Sequence, residues 1–318
     1  MDCFEKIKSA FDKAENIVLI PHTNADGDAT GSCFALAMFL EKFGKKVDVV
    51  FEEFPRLTKI IPYDYKVFDG SMKNYDLAVA VDCADLGRMG SRAELFCGST
   101  VCIDHHKTNG SIADINYVEP ESAATGELIF ELISAVAPNM LDTRIAEALY
   151  MAISADTGCF KYSNVTVRTH RIAEKLYEIG GRFAEINRLL YDTVPIKKLK
   201  FQASVVNDIE FYCKNRIAVY YLSYKDYTEK QLTLGDVEFV SSMIKTIEGV
   251  NIGVFIHERD EGMCKISLRS DESLDAAAVA AVFGGGGHSR AAGFTADGAG
   301  KGLIEKVVNL IEDNLVIN

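Results

Sequence analysis

The chain has 318 residues, of which 48% are hydrophobic and 25% charged, and its formal net charge is −12. This composition is that of an ordinary globular protein, and the length allows two domains. A protein that holds long nucleic acid by its phosphates is expected to be basic, so the charge argues against a long duplex as partner.

The amino-terminal segment and the cysteines predict a cytoplasmic protein. Residues 2–14 form a charged amphipathic pattern without the apolar core of a signal peptide. No apolar run approaches the ~20 residues of a membrane span. The eight cysteines include no CxxC pair, so we expect reduced and mostly buried thiols and no membrane partner.

The first candidate site follows the first predicted strand. Residues 16–21 (NIVLIP) predict a buried parallel strand, and residues 22–32 (HTNADGDATGS) predict a loop. The next residues, 33–40, predict a helix that ends near Gly44. Open α/β sheets bind ligands at such strand ends.

His22, Asp26 and Asp28 lie in this loop. Oxygen and imidazole donors on one short turn suit Mn, Mg or Zn. From this stretch alone, the same residues are equally consistent with turn formers and helix caps.

Further acidic and imidazole side chains follow later elements. Residues 76–81 (DLAVAV) predict a strand before Asp82, and residues 99–103 (STVCI) predict a strand before the triplet Asp104, His105 and His106. Such a triplet after a buried strand is costly unless it is paired or bound to metal. Asp156 follows a predicted helix over 143–154, where a plain turn residue is the alternative.

The remaining pattern predicts an α/β protein with two domains. Between the site residues we expect a strand over 46–51 and helices over 122–136, with Ser122 as a possible N-cap, and over 166–192. We predict a catalytic domain over 1–191, a basic linker over 192–200 and a smaller α/β domain over 201–318. For the second domain we expect strands at 206–213, 217–222, 251–257 and 264–269, and helices at 236–248, 275–282 and 300–314.

A glycine run in the second domain predicts an anion-binding loop. Residues 284–293 read GGGGHSRAAG, and successive glycines let backbone N–H groups approach an anion, with His288 as a further donor. Arg269 follows a predicted strand as a matching cation. A flexible surface loop and an exposed structural arginine are the alternatives.

Taken together, HTNADGDATGS, Asp82 in VAVDCADLGRMG, the DHH triplet at 104–106 and Asp156 in SADTG resemble the motifs of the DHH phosphoesterase superfamily. The GGGGH run resembles its DHH-associated C-terminal domain. The resemblance covers nearly the whole chain, and its nearest branch is that of the nanoRNases (oligoribonucleases) and pAp phosphatases. The residue before Asp26 is Ala25, where many relatives have Pro, and Cys83 stands where a small hydroxyl residue is common.

The resemblance implies a mostly parallel N-terminal sheet flanked by helices, with the active site in a cleft between the domains. It implies two divalent metal ions, usually manganese. One would be held by His22, Asp26 and Asp82, and the other by Asp28, His105 and Asp156, with Asp82 bridging. Four carboxylates would balance the charge of the two ions.

The resemblance also implies roles outside the ligand set. Asp82, Asp104 and His106 would form the catalytic group, with Asp104 bonded to a ligating histidine. His106 would contact phosphate. The rest of the nucleotide would be bound by residues of the second domain, namely Arg269, Gly285, Gly286, Gly287 and His288.

The function implied is hydrolysis of short single-stranded oligonucleotides and of 3′-phosphoadenosine 5′-phosphate. The alternatives are a cyclic dinucleotide phosphodiesterase and a non-catalytic nucleotide-binding regulator. A complete ligand set argues against the regulator. A homodimer is possible.

Overall fold

The computed structural model describes residues 3–54, 57–71, 74–260 and 262–314, and the chain divides into two compact units, Met1–Thr193 and Val194–Asn318. The described strands of the first unit are β1 (Asn16–Ile20), β2 (Lys46–Phe51), β3 (Lys66–Val67), β4 (Leu77–Val81), β5 (Ser99–Asp104) and β6 (Ile115–Val118). Its helices are α1 (Cys3–Lys13), α2 (Gly27–Lys42), α3 (Thr125–Val136), α4 (Thr143–Asp156), α5 (Val167–Ile179) and α6 (Phe183–Asn187), with a π-helical turn at Arg188–Asp192.

The six strands of the first unit form one parallel sheet in the order β3-β2-β1-β4-β5-β6. The central strands are apolar on both faces, as parallel strands covered by helices require. The strand order reverses between β1 and β4, which is where such sheets bind ligands. The predicted α/β class with a mostly parallel sheet is confirmed. The short strands β3 and β6 were not predicted.

Helix α2 begins six residues before the predicted start. Its N-cap is Asp26, whose Oδ1 accepts the N–H groups of Asp28 at 3.0 Å and Ala29 at 3.1 Å. Asp28 therefore lies in the first helical turn and not in a loop. The loop prediction was wrong here. Glycine has a low helix propensity, but Gly27 and Gly31 lie within α2 because a larger residue would not fit between α2 and α4.

Helices α2 and α4 pack so closely that glycine is required between them. A Cβ built on Gly31 would lie 2.5 Å from the carbonyl oxygen of Ala148, and one on Gly27 would overlap the side chain of Ala155. This close approach brings the start of α2, with Asp28, beside the end of α4, with Asp156.

The second unit contains the helices α7 (Ile196–Asp208), α8 (Tyr224–Glu229), α9 (Leu234–Val237), α10 (Val240–Lys245), α11 (Ala276–Val282) and α12 (Gly300–Asn314). Its strands are β7 (Glu210–Tyr212), β8 (Ile217–Leu222), β9 (Ile252–Asp260), β10 (Met263–Ser270), β11 (Gly286–His288) and β12 (Ala291–Asp297). They form a mixed sheet in the order β11-β12-β10-β9-β8-β7, in which β8 and β9 are parallel and the other pairs antiparallel.

Two predicted elements of the second unit differ from the structure. The first part of the predicted strand 206–213 belongs to helix α7, which also includes residues 196–200 of the predicted linker. The neighbouring valines suggested a strand, but Phe201 and Val205 are four residues apart and bury one helical face. The helix predicted over 236–248 is two short helices, α9 and α10.

The glycine run is not a loop. Gly284 (φ 74°) and Gly285 end α11, with their N–H groups donating to Ala281 and Ala280 carbonyls. Gly286–His288 is the edge strand β11. A Cβ built on Gly287 would lie 2.5 Å from the Ala291 carbonyl oxygen, so close strand packing explains that glycine.

Among the helices that the structure describes, none is long and apolar enough to cross a membrane. All eight cysteines are free, as predicted, but four of them are buried and Cys97 is exposed, so the expectation that most are buried was too strong.

Candidate metal centre

The candidate site lies at the carboxyl ends of three neighbouring strands. His22 follows β1, Asp82 follows β4, and Asp104 ends β5 with His105 and His106 after it. Because β1, β4 and β5 are adjacent in a parallel sheet, their carboxyl ends meet at one edge.

The described residues form three overlapping groups that present possible metal ligands within 4.8 Å of one another. The groups are His22, Asp26 and Asp82; Asp28, His105 and Asp156; and Asp82, His105 and His106. The structure thus brings together all six residues predicted as ligands from the sequence, and Asp82 belongs to two of the groups.

The distances within the cluster are short. The Nε2 of His22 lies 3.7 Å from Asp26 Oδ2 and 3.6 Å from Asp82 Oδ2. The Nε2 of His105 lies 3.6 Å from the other Asp82 oxygen and 3.2 Å from Asp156 Oδ2. Asp82 therefore directs one oxygen to each of two imidazoles.

Both imidazoles are oriented through their other nitrogen. The Nδ1 of His22 lies 2.6 Å from the carbonyl oxygen of Thr23, and that of His105 lies 3.1 Å from the carbonyl oxygen of Ser122. Since a carbonyl only accepts, Nδ1 carries a proton and Nε2 is the nitrogen that faces the carboxylates. This is the arrangement in which proteins present histidine to a metal.

Asp28 is held by the N-terminus of α3. Its Oδ2 accepts the Thr125 N–H at 2.6 Å, and its Oδ1 accepts the Gly126 N–H at 2.9 Å and the Ser32 hydroxyl at 2.9 Å. These bonds also explain why α3 can have Ala124 as its N-cap, which offers no side-chain acceptor. The carboxylate of Asp28 accepts N–H groups of the first helical turn in its place. Ser122, expected as the cap, instead donates to Glu127 at 2.8 Å.

Asp82 is buried and strained. It has a positive φ of 56°, which is costly for a residue with a side chain, and its N–H donates to the Ile103 carbonyl at 3.0 Å. The hydroxyl of Thr125 donates to Asp82 Oδ1 at 2.9 Å. Thr125 thus contacts Asp28 through its backbone and Asp82 through its side chain.

Asp104 bonds to a different histidine from the one expected. The Nδ1 of His106 donates to Asp104 Oδ1 at 2.7 Å, and Asn109 donates to Oδ2 at 2.6 Å. The partner of Asp104 is therefore His106, which was expected to contact phosphate, and not His105, which was expected to bind metal. The Nε2 of His106 faces Arg88 Nη1 at 3.3 Å.

The electrostatics of the cluster favour added positive charge. Burial opposes protonation of His22, but Asp26 and Asp82 outweigh it and raise its pKa to about 10. For His105, burial is likewise outweighed by Asp156 and its neighbours, and the pKa is again about 10. Burial and the other carboxylates raise the pKa of Asp156.

This donor set fits divalent metal ions. It offers carboxylate oxygens and imidazole nitrogens, which bind Mn, Mg or Zn, and the crowded acidic groups need cations for compensation.

Two of the substrate-binding residues predicted in the second unit, Arg269 and His288, share one sheet face. Ala291 on β12 pairs with His288 on β11 and with Arg269 on β10. Residues opposite one another in an antiparallel sheet point to the same face, so Arg269 and His288 lie two strands, or roughly 10 Å, apart. His288 is exposed, whereas Arg269 is partly buried and burial lowers its pKa.

Gly293 pairs with Gly286 on one side and with Ser267 on the other, so the same face of the sheet carries three small residues in a row. Gly287 pairs with Ala292, on the opposite face, and Gly285 lies before the strand. The five residues therefore lie near one another in the second unit, but they do not all lie on the same face of the sheet.

Sequence reasoning missed Arg88, Asn109 and Thr125. Arg88 lies within the VAVDCADLGRMG motif, and an arginine soon after a candidate ligand was a usable signal. Thr125 and Asn109 gave none, because their roles depend on partners far away in the chain or around a turn.

Comparison with known families agrees with this geometry. The family model described as "DHH family, N-terminal domain" matches residues 16–153, and that described as "DHHA1 domain" matches residues 214–316.

Two curated relatives cover most of the chain. The chain is 30% identical over 285 residues, 89% of its own length and 84% of the relative's, to the "Bifunctional oligoribonuclease and PAP phosphatase NrnA" of Thermus thermophilus. It is 30% identical over 297 residues, 92% of this chain and 93% of the relative, to a "Probable bifunctional oligoribonuclease and PAP phosphatase NrnA" of Streptococcus mutans.

Among solved structures, an exopolyphosphatase-related protein from Bacteroides fragilis is similar with a TM-score of 0.85 and 27% identity. The similarity covers 98% of this chain and 94% of that one.

Proposed function

The chain belongs to the DHH family, and from that premise we propose that it is a metal-dependent phosphoesterase. Its substrates are short oligonucleotides, which it hydrolyses to mononucleotides, and 3′-phosphoadenosine 5′-phosphate, which it hydrolyses to AMP. The relatives named above for both activities match along most of their length, which supports the same pair of activities here.

The observation that carries the proposal is the position of Asp82 between two groups of ligands. His22 and Asp26 lie on one side of it, and His105 lies on the other, with Asp28 and Asp156 completing the second group. We propose that the groups hold two divalent manganese ions and that they share Asp82. When bound, the ions supply Lewis-acid chemistry and activate water for attack on phosphorus.

The chain's own residues position the phosphate. The Nη1 of Arg88 lies 3.3 Å from the Nε2 of His106, so the two side chains face the same region. Because a guanidinium only donates, Nε2 accepts in this contact, and the remaining N–H groups of Arg88 can contact non-bridging phosphate oxygens. Asp104 holds the His106 ring in place by accepting from its Nδ1. Asp104 is thus a positioning residue in this scheme.

The second unit supplies nucleotide binding. Arg269 and His288 offer donors on one sheet face, above the small residues Gly286, Gly293 and Ser267. Because these residues are small, the sheet face leaves room for a sugar or base beside the two donors. We assign no chemistry to these residues.

The two alternatives are not favoured. The relatives are named for oligoribonuclease and phosphatase activity and not for a cyclic substrate. A binder without turnover would not need the complete set of carboxylates and imidazoles that the structure brings together.

A length series of single-stranded oligonucleotides tests the function. With Mn²⁺, we expect the highest kcat/KM on substrates of two to about five nucleotides, and lower values up to about twenty-four, because the acidic chain gains little from counterion release. We also expect AMP from 3′-phosphoadenosine 5′-phosphate. No release of mononucleotides from any member would contradict the function, whereas equal efficiency on the longest member would contradict the length preference.

A further inference from the structure

An exposed tyrosine lies beside the candidate metal centre, in the turn after Asp156. Tyr162 is 60% exposed. Among the described residues, its side chain makes no hydrogen bond and its ring stacks on no other aromatic ring. A large exposed ring without partners next to a catalytic cluster calls for an explanation other than packing.

The turn that carries Tyr162 is tightly wound. Gly158, Cys159 and Phe160 are three successive residues with positive φ, of 55°, 59° and 62°. Such values are costly for the two residues with side chains and persist where the surroundings enforce them.

Several bonds enforce this backbone. The oxygens of buried Thr157 accept the N–H groups of Phe160 at 3.1 Å, Lys161 at 2.9 Å and Tyr162 at 3.1 Å. Asn164 donates to the carbonyl oxygens of Asp156 and Ala123, both at 3.0 Å. The turn is therefore a rigid support fixed to the elements that form the metal centre.

This support places the Tyr162 ring near the cluster. The ring packs directly over Gly158, where a Cβ would overlap it. Gly158 is two residues from Asp156, a span of at most about 7 Å. One side of the ring is thus fixed against backbone, and the rest is open to solvent close to a predicted metal ligand.

We propose that Tyr162 is a stacking platform for a nucleobase of the substrate whose phosphate is held at the metal centre. A base is joined to its phosphate through a single sugar, which suits a platform at this distance. Stacking of a base on an aromatic ring is strong and tolerates every base, as expected for an enzyme that degrades oligonucleotides of any sequence. This inference rests on the proposed function.

The test compares intact dinucleotides with abasic ones. KM and kcat are measured with Mn²⁺ for a dinucleotide and for two analogues that lack either its 5′ or its 3′ base. For the wild type, we expect removal of the stacked base to raise KM by about 5- to 100-fold. Tyr162→Ala should raise KM for the intact substrate by a similar factor, with kcat within about threefold, and should abolish the difference between the intact substrate and that analogue.

Two control variants separate stacking from structure. Tyr162→Phe keeps the ring and should keep the wild-type KM. Tyr177→Ala removes another tyrosine of the same unit, 58% exposed and on α5, and should leave the ratio of the KM values unchanged.

The inference is overturned if Tyr162→Ala leaves KM unchanged, or if it changes the intact and both abasic substrates by the same factor, which would show a structural role. Failure of the proposed function looks different. In that case the wild type hydrolyses neither the dinucleotide nor its analogues, and both proposals fall together.

Discussion

The Nδ1 of His106 donates a hydrogen bond to Oδ1 of Asp104 at 2.7 Å. Burial disfavours a charged Asp104, but the bonds from His106 and Asn109 outweigh burial and lower its pKa, so the carboxylate is ionised at neutral pH. An ionised acceptor fixes a proton on Nδ1 and turns the Nε2 of His106 towards Arg88. The pair therefore sets the direction of the imidazole, and with it the approach that a phosphate would take in the proposed function.

Asp104→Asn tests this orientation. An amide can donate as well as accept, so it no longer fixes the proton on Nδ1 or the direction of the ring. We therefore expect kcat to fall by about 10- to 100-fold while the bound metal content stays the same. Metal analysis and steady-state kinetics check both points. The exposed variant Asp12→Asn on α1 is the control. Loss of metal would instead make Asp104 a ligand.

Asp82→Asn is expected to be the most damaging single change at the cluster. The neutral amide removes the charge that faces both His22 and His105, so we expect activity to fall at least 100-fold and the bound metal to decrease. Circular dichroism should show that the fold is retained. Activity within tenfold of the wild type would refute the shared position of Asp82.

Gly31→Ala tests the close packing of α2 on α4. The new methyl group meets the Ala148 carbonyl oxygen, so we expect the free energy of unfolding to fall by about 1–3 kcal/mol. Gly302→Ala on α12 is the matched control, because its Cβ has open space and alanine favours a helix. Urea titrations compare the two variants. Equal stability of Gly31→Ala and the wild type would show that the helices can move apart freely.

The stability of the second unit is expected to decrease in acid because of His257. Burial, followed by the cations Arg259 and Lys265, lowers its pKa from 6.5 to about 4, and its buried Nε2 has no partner among the described residues. Between these two pKa values the unfolded chain binds a proton that the folded chain does not. Stability therefore falls as the pH decreases through this range, by up to about 1.4 kcal/mol per pH unit.

His257→Phe removes this dependence. The ring fits beside Phe255 and Tyr227, which flank the histidine in the wild type. Urea titrations near pH 7 and near pH 5, with EDTA present, should show a wild-type loss about 2 kcal/mol larger than that of the variant. An identical loss in both proteins would mean that His257 does not control the acid sensitivity.

Local sequence patterns predict the strands that carry the site and the residues that follow them. Short apolar runs bounded by polar residues can be recognised locally, and the two strands before Asp82 and Asp104 begin and end within one residue of the predicted positions. In a parallel sheet, polar side chains at such strand ends converge whatever the details of packing. For this reason His22, Asp82 and His105 lie together, whereas the packing of α2 on α4 brings Asp28 and Asp156 to them.

Other features depend on contacts that local patterns do not reveal. Asp28 caps α3 across 97 residues. Asp104 is paired with its near neighbour His106 and not with His105, a choice that the directions of the side chains make. Gly27 and Gly31 read as helix breakers but are the positions at which α4 approaches α2. The glycine run ends a helix and forms an edge strand because close packing on β12 excludes side chains. For α2, the local sequence disfavours a helix at each glycine by about 1 kcal/mol, and the packing against α4, which is distant in the chain, overrides this preference.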